Sequence, residues 1–160
     1  DGGLWARRFG GYEDRSEMTR LLKDSGITVL HNRATQIEAN GRNLELVGLG
    51  DIWAHAAEPW VAFGGMQTSP QVPRLVLSHN PDSKQAVAEY DWDLMLCGHT
   101  HGGQISLPLL GTPFAPFTDR RYVAGLNPWK GQQIYTTRGV GSLNGLRFNC
   151  RPEVSILELG

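Results

Sequence analysis

Three of the five histidines in this 160-residue chain occur in a pattern that suits metal binding. His99 and His101 flank a single threonine within the glycine-rich segment 98–103, and His79 precedes them by about twenty residues. Neutral imidazoles are common ligands of transition metals. The glycines around the pair permit a sharp backbone turn and the close approach of a ligand. These residues therefore predict a metal site held by His79, His99 and His101.

The segments that carry these histidines should form neighbouring strands. Residues 74–80 and 93–97 have the apolar pattern of buried strands. Residues 82–90 between them predict a helix, which Asn80 would cap and along which Lys84 would be exposed. A strand–helix–strand unit makes the two strands parallel, with their C-terminal ends at one edge of the sheet.

The three imidazoles should consequently meet at that edge. His79 ends the first strand, and His99 and His101 follow the second. If the segment after the second strand is extended, alternation points the side chains of His99 and His101 in the same direction.

The remaining elements follow from periodicity and turn signals. In chain order we expect a helix at 13–26, strands at 27–32, 35–39 and 43–50 with a hairpin turn at 40–41, a long irregular loop at 51–73, and strands at 121–126, 132–139 and 154–159.

Composition limits the class of protein. Hydrophobic residues make up 40% and charged residues 19%, and the formal net charge is −1, which is typical of a globular domain without a basic face. Nucleic acid is therefore not indicated as a partner, and no apolar run is long enough for a membrane span. Two cysteines, Cys97 and Cys150, leave open either a bridge or two free thiols.

At these residues the sequence resembles a known family. "LSHNPD" at 77–82 and "LMLCGHTHGGQ" at 94–104 are similar to the last two motifs of the calcineurin-like metallophosphoesterases, a lone His followed by Gly-His-x-His. Segments 122–126, 134–142 and 146–159 resemble one bacterial branch, the YaeI-type phosphodiesterases. The resemblance covers nearly the whole chain.

The resemblance implies an α/β fold that is part of a four-layer α-β-β-α sandwich with a mixed sheet. It also implies two divalent metal ions, Mn²⁺, Zn²⁺ or Fe, with His79 and His99 on one ion and His101 on the other. A hydroxide between the ions would attack phosphorus in line. The substrate would be a phosphodiester, another phosphoester or a pyrophosphate, and a lipid-linked substrate is compatible with this.

The family's upstream motifs, Asp-x-His, Gly-Asp and Gly-Asn-His, are absent from these 160 residues. Asp1 matches the acid that follows Gly-Asn-His, so the catalytic histidine is expected just upstream of it. Residues 1–160 would then be a single domain, the C-terminal part of a phosphoesterase domain. We expect this chain alone to be nearly inactive, and a missing N-terminal half or self-association to cover its apolar surface. The sequence does not indicate the cellular compartment of the protein.

Several other residues have both a functional and a structural interpretation. Asp51 is a capping residue or a contact near the metal site, and Arg138 contacts substrate phosphate or forms an ion pair. Trp53 and Trp60 wall a cleft or pack in the core. His31, His55, Arg147 and Arg151 are expected to be structural or surface residues, and Thr100 to shape the histidine loop.

Two alternatives to an enzyme remain. A non-catalytic scaffold would retain the fold, although the presence of all three expected histidines argues against it. A structural zinc site would need a fourth ligand, from Asp51, His55 or a cysteine, to complete the tetrahedron.

Overall fold

The computed structural model describes residues 16–65, 69, 71–113, 119–142 and 145–159. Six strands form one mixed sheet in the order β1-β2-β3-β4-β6-β5, which confirms the predicted α/β class. The elements are α1 (Ser16–Asp24), β1 (Arg33–Ala39), β2 (Arg42–Gly48), α2 (Pro59–Gly64), β3 (Arg74–Leu77), β4 (Leu94–Cys97), β5 (Gly125–Trp129) and β6 (Gln132–Thr136), with 3₁₀ turns at Pro81–Gln85, His101–Gly103 and Arg120–Tyr122. Among the described helices, none is long and apolar enough to cross a membrane.

The pairing of β3 with β4 is parallel, as the strand–crossover–strand pattern predicts. β2 and β6 extend the parallel part on either side, and β1 and β5 pair antiparallel at the two edges. The predicted β1–β2 hairpin is confirmed. Its turn has positive φ at both Asn40 (53°) and Gly41 (74°), the conformation for which Asn-Gly is favoured. The C-terminal ends of β3 and β4 thus lie at one edge.

The two faces of the sheet differ in burial. One row of registered residues, Val47, Val76, Met95 and Ile134, crosses four strands and is fully buried. On the opposite face the corresponding rows include leucines and a tyrosine that remain half-buried: Leu46, Leu77, Leu94, Leu96 and Tyr135. Each fully buried apolar side chain stabilises the fold by about 1.5–3 kcal/mol, so the first face anchors the register.

The predicted strand at 27–32 is wrong. Residues 27–30 have no ladder partner in the described part of the chain. The backbone of Leu30 instead lies against the face of β2 at Gly48, in the space where a side chain would stand. Asn32 then turns the chain with φ 47°, and its side chain bonds to the backbone of Gly50 and Ala56. The contact with Gly48 and the turn at Asn32 therefore determine the conformation of residues 27–32 more strongly than their β-strand propensity does.

The predicted helix at 82–90 is also wrong in type and in exposure. Only Pro81–Gln85 is helical, and it is a 3₁₀ turn that Asn80 caps through the Asp82 N–H (2.8 Å). A bond between the hydroxyls of Ser78 and Ser83 (2.7 Å) draws the turn onto the sheet. Lys84 is consequently buried, at 2% exposure, and its ammonium lies 3.2 Å from Asp82 and over the ring of Tyr122.

Three further expectations need correction. The stretch at 51–73, which was expected to be irregular, contains α2. The predicted strand at 121–126 begins only at Gly125. The predicted strand at 154–159 is not formed. In that last segment the chain is anchored instead by side chains, since Ser155 bonds to the hydroxyl of Tyr135 (2.6 Å) while Ile156 stays 96% exposed. The predicted helix at 13–26 is confirmed from residue 16 onward, because 13–15 lie outside the described residues.

Substituting Gly48 by alanine should destabilise the protein by about 1–3 kcal/mol, because the added methyl group would overlap the backbone of Leu30. Gly64→Ala in α2 is the matched control, since a side chain there meets open space and helix propensity favours alanine. Urea unfolding followed by fluorescence measures both. A Gly48→Ala variant as stable as Gly64→Ala would contradict the close packing of residues 27–30 on β2.

Candidate metal centre

His79 and His99 lie together at the C-terminal edge of β3 and β4. Backbone bonds continue the ladder past the strand ends, from Ser78 N to Leu96 O (3.1 Å) and from Gly98 N to His79 O (3.0 Å). This brings His79 Nε2 to 3.2 Å from His99 Nδ1, with ring centroids 5.0 Å apart and planes at 76°. The two histidines from separate segments therefore meet as the topology predicts.

The separation of these nitrogens fits two ligands of one ion. Zn–N bonds are about 2.0–2.1 Å long, so two nitrogens at tetrahedral or octahedral angles around one ion are roughly 2.8–3.4 Å apart. The observed 3.2 Å lies within this range. The same distance suits a hydrogen bond between one N–H and one lone pair, which is the contact that the structure shows.

Desolvation favours the neutral form of both imidazoles, although His99 is buried whereas His79 is exposed. His99 is 8% exposed, and desolvation followed by the nearby charge of His79 lowers its pKa to about 4. The pKa of His79 is also lowered, chiefly by the partial desolvation of its ring, while the carboxylate of Asp51 opposes the shift. Neutral imidazoles retain the lone pairs that a metal ion requires.

His101 has a different environment. Its Nδ1 lies 3.0 Å from Gln104 Oε1, and within the part of the chain that the structure describes no three His, Cys, Asp or Glu side chains group as metal ligands. The predicted extended segment is wrong, because His99 (φ 67°) and His101 (φ 49°) are both left-handed. Two left-handed residues and a 3₁₀ turn replace the alternation expected of a strand. The metal assignment of His101 stays a prediction.

Gln104 gives His101 a defined orientation. If the amide oxygen accepts Nδ1–H, as its position indicates, Nε2 keeps its lone pair for a ligand. Metal-binding histidines usually donate their other N–H in this way. Gln104 was not among the candidate residues predicted from sequence. Its position three residues after His101 is the sequence feature that could have indicated its contact with that histidine.

Thr100 shapes the loop, as expected. Its hydroxyl donates to Val123 O (2.7 Å) and accepts from Gly102 N (3.2 Å), and the residue is 2% exposed. Gly102 and Gly103 both have positive φ, and a side chain on either would overlap neighbouring residues. The glycines after the histidines are thus required for packing as well as for the turn.

Asp51 and Trp53 border the histidine pair. Asp51 Oδ1 accepts from Trp53 N (2.7 Å) and Ala54 N (2.9 Å), which is the predicted capping role, and its charge also acts on His79 and His99. The ring of Trp53 meets His99 edge-on at 4.3 Å and is 40% exposed. The loop that Asp51 caps therefore places an indole at the rim of the site.

Most of the remaining candidate residues are in structural or surface positions. Arg138 forms an ion pair with Glu153 (3.2 Å), which is the structural alternative named for it. Trp60 is 63% exposed, so its expected core packing is wrong, and His55 is exposed. Asp1 lies outside the described residues. Cys97 and Cys150 are both buried free thiols rather than a bridge.

A cavity of about 490 Å³ opens beside His79. Its floor is the half-buried face of the sheet at Leu77, Leu96 and Tyr135, and Ser155 and Leu157 close one side. An apolar space thus adjoins the histidine pair, where an apolar part of a ligand or a further structural layer would find contact.

Curated relatives match most of this chain. It is 57% identical over 149 residues to Phosphodiesterase YaeI of Escherichia coli K12, an alignment that covers 93% of this chain and 53% of that protein. It is 31% identical over 152 residues to the uncharacterized metallophosphoesterase YkuE of Bacillus subtilis, covering 94% of this chain and 52% of the relative. The chain belongs to the calcineurin-like metallophosphoesterases, on the branch of the YaeI-type phosphodiesterases.

A third relative has a more specific name. The UDP-2,3-diacylglucosamine pyrophosphatase LpxG of Chlamydia trachomatis is 30% identical over 152 residues, which is 88% of this chain and 44% of that protein. The chain spans about half the length of these curated relatives. No protein-family model and no solved structure matches it. Membership of the family also supports the four-layer α-β-β-α sandwich, of which the described sheet is one layer.

The low pKa of His99 predicts a pH dependence of stability in the protein freed of metal by a chelator. An imidazole in the unfolded chain titrates near 6.5, whereas folded His99 titrates at about 4. The unfolded state binds the proton more readily in this window, so the contribution of His99 is fully present above pH 6.5 and is lost as the pH falls toward 4.

Urea unfolding at pH 7 and pH 4.5 measures this loss in the wild type, His99→Asn and the exposed-residue control His55→Asn. The free energy of unfolding should fall less with pH in His99→Asn than in the other two. Equal losses in all three proteins would contradict the burial of a neutral His99.

Proposed function

We propose that the intact protein is a metal-dependent phosphodiesterase. The observation that supports this most strongly is the 3.2 Å approach of His79 Nε2 and His99 Nδ1 at the edge of the parallel sheet. The approach joins residues 20 positions apart in sequence, and both have pKa values lowered by burial. Phosphodiesterase and metallophosphoesterase are also the printed names of its relatives.

We assign two divalent ions to the site, with His79 and His99 holding one and His101 the other. Imidazoles combined with carboxylates suit Mn²⁺, Zn²⁺ or Fe. When bound, such a pair supplies a hydroxide nucleophile for attack on phosphorus and stabilises charge on the transferring phosphoryl group. The remaining ligands would come from upstream motifs that these 160 residues do not contain.

The residues of this chain orient and shield that site. Gln104 fixes the ring of His101 through Nδ1, and the indole of Trp53 packs against His99 and limits the access of water. Asp51 places a negative charge near the two rings, which would favour a bound cation. Arg138 would contact substrate phosphate only if it exchanged its ion pair with Glu153 for that contact.

We further propose that residues 1–160 form one domain segment with little activity alone. A carboxylate that bridges two dications offsets their repulsion, and the motif expected to supply it is not in this sequence. The half-buried leucine face of the sheet would be covered in the intact protein by the N-terminal half, or by self-association in its absence.

A phosphodiester or pyrophosphate with an apolar substituent fits the surroundings of the site best. The apolar cavity beside His79 and the exposed edge of Trp53 offer contact to a lipidic or aromatic group. One relative is named a pyrophosphatase of a diacylated sugar nucleotide, which is a substrate of this chemical class.

A structural zinc site is the weaker candidate. Among the described residues, neither cysteine is placed as a fourth ligand, since Cys150 donates to the carbonyls of His101 and Gly102 and Cys97 is buried in the core. Within the described residues, His55 is exposed at the end of the turn that carries Trp53 and does not group with the pair as a ligand. A non-catalytic scaffold would not need the neutral histidine pair.

Substitution of the two paired histidines should weaken the same ion. We expect His79→Asn and His99→Asn in the intact protein each to reduce Mn²⁺ affinity by at least tenfold and to abolish most hydrolysis of a chromogenic phosphodiester, because each removes a direct ligand. His101→Asn should weaken the other ion. Isothermal titration with Mn²⁺ and steady-state kinetics measure these effects.

His55→Asn is the control and should match the wild type, since the side chain of His55 is exposed and is not assigned to either ion. Unchanged Mn²⁺ affinity in both His79→Asn and His99→Asn would overturn the metal assignment. Robust turnover by the 160-residue chain alone would overturn the proposal that the upstream motifs are required.

A further inference from the structure

The loop that carries His101 has an unfavourable backbone conformation. His99, His101 and Gln104 have φ values of 67°, 49° and 61°, in the left-handed region that residues with side chains occupy at a cost. Such conformations persist only where surrounding contacts hold them. The contacts that hold His101 therefore decide where its ring points.

Arg147 makes the main contact of this kind. Its Nη1 donates to His101 O (3.1 Å), and its Nη2 donates to Arg138 O (2.8 Å) and Gly139 O (3.1 Å). Its Nε donates to Gly141 O (3.1 Å). One guanidinium thus ties the loop after β4 to the chain that leaves β6, and its planar fork suits several carbonyls at once.

Cys150 supports the same carbonyl from a second side. Its thiol donates to His101 O (3.2 Å) and Gly102 O (3.3 Å), and its sulfur occupies the space that a side chain on Gly102 would fill. Backbone bonds from Phe148 N to Gln104 O (2.9 Å) and from Ser106 N to Phe148 O (3.0 Å) complete the junction. Segment 147–150 is thus joined to segment 101–106 at several points.

We propose that Arg147 is a positioning residue for His101. By fixing the carbonyl of His101 it sets the ring against Gln104, so that Nδ1–H is held and Nε2 keeps its lone pair for a ligand. The consequence for a bound ion rests on the proposed function. The effect on the ring itself does not, because it concerns contacts within this chain.

The test compares Arg147→Lys and Arg147→Ala with Arg151→Ala in the intact protein. Lysine keeps the charge but loses the planar fork, and Arg151 is an exposed arginine four positions further along. Ring ¹⁵N shifts of His101, measured after metal removal, should show the Nδ1–H tautomer in the wild type and in Arg151→Ala. Both Arg147 variants should show mixed tautomers, whereas His55 should not change.

Titration with Mn²⁺ gives a second readout. We expect the ion assigned to His101 to bind about 10–100-fold more weakly in Arg147→Lys, while the ion at His79 and His99 binds as in the wild type. Altered His101 shifts in a protein that binds no Mn²⁺ would support the positioning role and contradict only the proposed function. Unaltered His101 shifts in folded Arg147→Lys, or failure of both Arg147 variants to fold, would overturn the inference.

Discussion

The parallel pairing of β3 with β4 is the constraint on which the site depends. Leu77 registers with Leu96, and each strand is followed after one further residue by a histidine. A slip of one residue would turn every side chain to the other face. Val76 and Met95, which are in register and fully buried, prevent that slip. Core packing therefore fixes the distance between the ring nitrogens of His79 and His99 at the sheet edge.

Burial at this edge has an electrostatic consequence. Imidazoles that are removed from water lose the proton more readily, and the charge of His79 further lowers the pKa of His99. Folding thereby brings two imidazoles with lowered pKa values close together, which costs stability as the pH falls. The capping turn of Asp51 adds a negative charge and the indole of Trp53 to the same place.

The sequence predicts the elements whose signals are local. The Asn40-Gly41 turn fixes the hairpin, and the apolar runs before His79 and His99 identify two central strands. The segment at 27–32 has strand propensity but lies over Gly48, which only the tertiary structure reveals. The prediction that His99 and His101 point in the same direction along an extended segment failed, because the glycines after His101 promote a left-handed turn. The contact of Arg147 with His101 joins residues 46 positions apart, and no local sequence pattern indicates it.

A direct measurement of the ion would test the central claim. Crystals of the intact protein grown with Zn²⁺ would be measured on both sides of the zinc absorption edge. The account predicts an anomalous peak about 2.0–2.1 Å from His79 Nε2 and from a ring nitrogen of His99. Zinc bound elsewhere, with the two rings still in direct hydrogen-bond contact, would contradict it.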